Sequence, residues 1–174
     1  MTMFTTWLLS GMYAKYIVSG NVNDSAQVAD TGIRNMELLE HQAELKNGKY
    51  KLNDEEVTGN EYKKVIPGVD IPKDPFIRLE LEPNVKYELY VKVTRSDPFP
   101  ETVTYSLSEK WKLSESLSDT DQGVFVYKYE DIFNTEFNDN IEILKDNMIY
   151  VNEHYEGKGQ TFSLTFIAWL KQVK

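Results

Sequence analysis

Between Val85 and Val93 the chain reads V-K-Y-E-L-Y-V-K-V. Val85, Tyr87, Leu89, Val91 and Val93 hold the odd positions, and Lys86, Glu88 and Lys92 stand between them. Successive side chains of an extended strand point to opposite faces, so a period of two predicts a strand with one buried and one wet face. The C-terminal stretch repeats the pattern. Phe162, Leu164, Phe166, Ala168 and Leu170 fall on one face, and Ser163, Thr165, Ile167 and Trp169 on the other. Its second face is also partly apolar, which predicts a central strand. Shorter candidates are Phe76–Leu81, Thr102–Leu107, Val124–Tyr129 and Met148–Val151. Turn residues separate them. Asn47-Gly48 suits the positive φ angles of a type I′ hairpin and would pair Met36–Leu45 with Tyr50–Leu52. Pro67-Gly68 is a turn, Pro98 and Pro100 break the chain after Val93, and Gly157-Lys158-Gly159 leads into the last strand.

Helical periodicity is thin. Leu38, Leu39, Gln42 and Leu45 also permit a helical turn or two over Met36–Leu45, and Ile132, Phe133 and Phe137 a short helix within Asp131–Leu144. Many short strands between turn signals, with no repeat and no shift of composition, predict one all-β domain. The expected architecture is a jelly-roll-like antiparallel β-sandwich with one or two short helices.

Composition narrows function. A net charge of −9 and a pI near 4.8 leave no basic stripe for nucleic acid or anionic lipid. With no cysteine, disulfide scaffolds, thiolate metal sites and cysteine nucleophiles are excluded. Residues 1–14, by contrast, carry no charge. The apolar run ends at Lys15, short of the roughly 20 residues that span a bilayer. Trp7–Leu9 could close the apolar region of an export signal, with Ser10, Gly11 and Ala14 as the small residues near a cut. We read residues 1–14 as the back half of a signal that the mature protein loses; an apolar first strand is the alternative.

Residue types that carry chemistry are scattered. His41 and His154 each lack a second histidine four positions away, so neither forms the zinc helix of a metalloprotease. Asp119-Thr120-Asp121-Gln122-Gly123 has the oxygen spacing that opens a calcium loop, but no properly placed bidentate glutamate follows, and a solvated turn is the simpler reading. Glu55-Glu56 and Glu130-Asp131 are chain neighbours and cannot flank one bond from one strand face. Trp111, Trp169 and the tyrosines could form a sugar platform, although on alternating strands aromatics more often pack in the core. Neither an enzyme nor a cofactor is expected.

Several stretches in order resemble the TasA/camelysin family, exported through the signal peptidase SipW. They are "SGMYAKY" at 10–16, "VIPGVDIPKDPFIRLE" at 65–80, "YELYVKV" at 87–93, "VFVYKYEDIF" at 124–133 and "YEGKGQTFSLTFIAWLKQ" at 155–172. The most specific is the turn block, with Pro67, Gly68, Lys73, Asp74 and Pro75. Met12 and Lys15 depart from the family junction, leaving the cut after Ala14 or after Lys15. Val69 stands where an acid is usual, which shifts the acid to Asp70. The resemblance implies a single sandwich domain over 15–174. It also implies secretion to the surface or biofilm matrix of a Gram-positive bacterium, and self-association into fibres, with an accessory or anchoring matrix protein as a possible partner. Nucleic acid and a stable membrane span of the mature form are not expected. A camelysin-like surface metalloprotease and a monomeric surface binding module are the alternatives.

Fibre assembly has a physical route. Sheet edges present unpaired N–H and C=O groups that accept an added strand. Signal cleavage would free residues 16–33, which contain apolar Tyr16, Ile17, Val22, Val28 and Ile33 and no proline. Docked on a neighbouring copy, such a donor strand gives a heterologous contact that propagates into an open filament. The alternative is an N-terminal strand that pairs within its own sandwich.

Overall fold

The computed structural model describes residues 11–13, 16–18, 32–157 and 161–173. The first strands are β1 (Gly11–Tyr13), β2 (Tyr16–Val18), β3 (Ile33–Lys46), β4 (Lys49–Val57) and β5 (Glu61–Tyr62). There follow β6 (Ile71–Pro72), β7 (Phe76–Leu81), β8 (Lys86–Arg95), β9 (Val103–Thr104) and β10 (Trp111–Leu113). The last are β11 (Val124–Phe133), β12 (Phe137–Glu142), β13 (Met148–Val151) and β14 (Thr161–Val173). One sheet has the order β10-β11-β8-β14-β1-β5, with β2 also on β14, and a second runs β12-β7-β3-β4. A small third sheet, β6-β13-β9, completes an all-β sandwich. Its ladders are antiparallel except where β1 and β2 lie parallel to β14.

The alternation read from sequence recurs in the burial pattern, except that Tyr90, on the other face of β8, is also buried. Phe162, Leu164, Phe166, Ala168 and Leu170 of β14 are all buried, as are Tyr87, Leu89, Val91 and Val93 of β8. They join Leu38 of β3 and Ile77, Leu79 and Leu81 of β7 in one apolar cluster between the sheets. Each buried Val, Leu, Ile or Phe among them contributes roughly 1.5–3 kcal/mol by leaving water. As expected, β14 is central, with β8 on one edge and β1 and β2 on the other.

Two turns follow their residue types. Asn47 and Gly48 adopt φ +52° and +77°, closing the β3–β4 hairpin with Lys46 opposite Lys49. At Pro67-Gly68, Val69 N donates to Ile66 O at 3.1 Å and Gly68 takes φ +70°, a type II turn.

The helical options over 36–45 and 131–144 are corrected. The first lies wholly within β3; the second is the end of β11 followed by β12. Pairing decides both. β3 ladders with β7 and β4 along its length, and β12 with β7 from Phe137 to Glu142, burying Ile141. Among the described residues helical structure is limited to single 3-10 turns at Glu115–Leu117, Thr120–Gln122 and Lys145–Asn147. Of the candidate 102–107 only Val103–Thr104 is a strand.

Candidate functional site

Two features stand out, the N-terminal edge of β14 and a buried polar cluster beneath β3. At the edge, Gly11–Tyr13 pairs with Thr161–Ser163, and Tyr16–Val18 with Phe166–Ala168. On its other side β1 pairs with β5, Met12 opposite Tyr62. β1 therefore fills a slot between β14 and β5. Of the five donor-strand candidates, Tyr16 and Ile17 lie in β2, while Val22 and Val28 fall outside the described residues. Ile33 opens β3 and sits opposite Leu81 of β7, so it belongs to the body of the sandwich.

The cluster is built where the β3–β4 register breaks. His41 faces Glu56, but the next partners are Ala43 and Leu52. Asn60 repairs this gap. Its Oδ1 accepts from Ala43 N at 2.7 Å and its Nδ2 donates to His41 O at 2.8 Å, which satisfies backbone groups that the ladder leaves open. Consecutive residues Glu40 and His41 are thereby held against consecutive residues Lys73 and Asp74. Lys73 Nζ donates to Glu40 Oε2 at 2.7 Å, and both side chains are 0% exposed. On the outer side His41 N donates to Asp74 Oδ1 at 3.0 Å, and His41 Nδ1 lies 2.5 Å from Asp74 Oδ2.

The surroundings of Lys73 are apolar and aromatic. Its Nζ lies 5.6 Å from the centre of the Tyr62 ring and 5.8 Å from that of Phe166. Burial pushes the ammonium pKa below its ordinary value, against the opposing pull of the Glu40 and Asp74 charges. Burial likewise drives the Tyr62 phenol far above its ordinary value, helped by Glu40, while its hydroxyl donates to Pro72 O at 2.9 Å. A buried ion pair of this kind sacrifices two hydration shells for one contact.

Of the turn-block residues, Lys73 and Asp74 belong to this cluster. Pro67 and Gly68 form the turn, Gly68 N donating to Asn152 O, and Pro75 O accepts from Ile143 N. Asp70 accepts from Val151 N at 3.0 Å. Glu40 and Asn60 were not singled out from sequence. The available signal was a charge in the inward register after Met36 and Leu38, hidden by the competing helical reading.

The remaining candidates have ordinary surroundings. His154 is exposed beside Glu153, and no group of three or more His, Asp or Glu side chains fit for a metal occurs among the described residues. Asp119 caps a 3-10 turn by accepting from Gln122 N, with Gly123 left-handed. Trp111 is buried, packs against Tyr129 and donates Nε1 to Glu142 O at 2.9 Å. Trp169 stacks on Tyr90 with centroids 5.4 Å apart. No helix among the described residues is long and apolar enough to cross a membrane.

Compared with family models, with curated proteins and with solved structures, the chain finds no match.

Proposed function

We propose that this chain is a secreted structural subunit of a cell surface or biofilm matrix, which assembles into fibres by N-terminal donor-strand exchange. The observation that carries the reading is the slot between β14 and β5. Its occupant, β1, lies within the stretch read as an export signal. Removal of residues 1–14 takes that occupant away and exposes backbone groups of Thr161–Ser163 and of Glu61–Tyr62. Unpaired strand edges recruit strands, and a freed segment beginning near Tyr16 on a second copy is a matching recruit. Such a contact is heterologous and does not close, so it yields a filament rather than a dimer. The ordered resemblance of residues 10–172 to fibre-forming proteins supports the same reading.

The test compares two purified chains in physiological salt by negative-stain electron microscopy, one starting at Tyr16 and one at Thr31. Filaments are expected from the longer chain alone. Monodisperse particles from both would remove the proposal.

A further inference from the structure

The Lys73–Glu40 pair is fully buried, yet Glu40 Oε1 has no hydrogen-bond partner. A buried carboxylate oxygen without a donor is costly, because nothing replaces the water it lost. The second oxygen of the same group lies 2.7 Å from the Lys73 amine. The site thus holds an amine nitrogen hydrogen-bonded to a carboxyl group, both fully buried, on two segments that the fold fixes against each other. Asn60 clamps the backbone around His41, and the His41–Asp74 pair clamps the neighbouring positions. Held in this way, two reactants gain the large effective concentration that makes amide formation feasible without an external catalyst.

We propose that Lys73 and Glu40 condense to an intramolecular isopeptide bond that cross-links β3 to the segment entering β7. The steps balance with no further reagent. A proton passes from the Lys73 ammonium to Glu40 Oε2 along their hydrogen bond, leaving a neutral amine and a carboxylic acid. The amine lone pair attacks Cδ, forming Nζ–Cδ and placing charge on Oε1. A second proton moves from nitrogen to the Oε2 hydroxyl, the Cδ–Oε2 bond breaks, water leaves and the Oε1 carbonyl reforms. One hydrogen stays on the amide nitrogen. The product is neutral, so it removes the buried charge on the unpartnered Oε1 together with that on the lysine. Burial of Lys73, which lowers its ammonium pKa, favours the first step. This inference stands independently of the fibre reading.

The experiment is mass spectrometry of the denatured wild-type chain and its tryptic peptides. Trypsin releases Asn35–Lys46, which carries Glu40, and Val65–Arg78, provided that Lys73 is not cleaved. The expected result is these two peptides joined and lighter than their sum by one water. Fragment ions should place the link at Glu40 and Lys73. Lys73→Arg keeps a cation for Glu40 but cannot form this amide, and trypsin should then release Asn35–Lys46 at its free mass and cut Val65–Arg78 after position 73. Recovery of free Asn35–Lys46 from folded wild-type protein, with cleavage after Lys73, would overturn the proposal, and it does so whether or not any variant folds.

Discussion

At the scale of single residues, the outer face of the β8–β14 region shows how one side chain sets a pH dependence. Lys128 Nζ donates to Glu88 Oε1 and Tyr90 OH donates to Glu88 Oε2 at 2.7 Å. These bonds hold the Glu88 carboxyl below its usual 4.5, the lysine contributing most. A depressed carboxyl contributes stability that is present above 4.5 and lost as pH falls through the folded value. Tyr90 is pushed up to about 12, chiefly by burial and then by Glu88, so its contribution is present below pH 10 and lost as pH rises towards 12. Urea titrations should therefore show stability falling on the acid side of 4.5, with that limb flattened in Glu88→Gln and the alkaline limb largely kept. Identical acid limbs in both proteins would show that Glu88 carries no pH-dependent stability. The identity of such residues was legible, but their pairing was not. Lys128 and Glu88 are 40 positions apart, and only the β8–β11 register brings them together. Lys73 is the sharper case. The turn block marked it and Asp74, yet a lysine in an exposed-looking "PKDP" gives no sign that its nitrogen lies in the core against Glu40.

At the scale of elements, alternation decided what could be read. β7 and β13 were legible to the residue, because apolar residues and flanking turns bound them tightly. β3 was ambiguous, since Leu38-Leu39 places two apolar residues in succession and supports a helical period as well as a strand. Ladder pairing with β7 on one side and β4 on the other overrides that local ambiguity. The β4 bulge was not legible at all, because it depends on Asn60, which arrives after β4 has ended. That dependence is measurable. Asn60→Ala leaves Ala43 N and His41 O without their partners in a part-buried setting, and should cost about 1–3 kcal/mol in chemical denaturation. A loss below about 0.5 kcal/mol would mean that the bulge is held without it.

At the scale of the whole molecule, the fold class followed from the repeated period of two and the spacing of turns, whereas the layout of the sheets did not. Sequence gave no reason to place the chain's first strands parallel to its last one. The proposed function rests on that arrangement. β14 is an apolar central strand whose outer edge, among the described residues, is paired by β1 and β2, which come from the N-terminus. In the proposed fibre β1 is lost with residues 1–14, and the segment beginning at Tyr16 of another copy, keeping the β2 register on β14, completes that edge in place of the chain's own. The chain contains no cysteine, which allows a direct test through a single engineered pair. Ile17 of β2 lies opposite Ile167 of β14. Two variants of the Tyr16-starting chain, Ile17→Cys and Ile167→Cys, are mixed under assembly conditions and oxidised gently. Disulfide-linked heterodimers that track filament formation are the expected result. If the cysteines join only when both are placed in one chain, and never between mixed chains, the N-terminal strand stays in its own sandwich and donor exchange is contradicted.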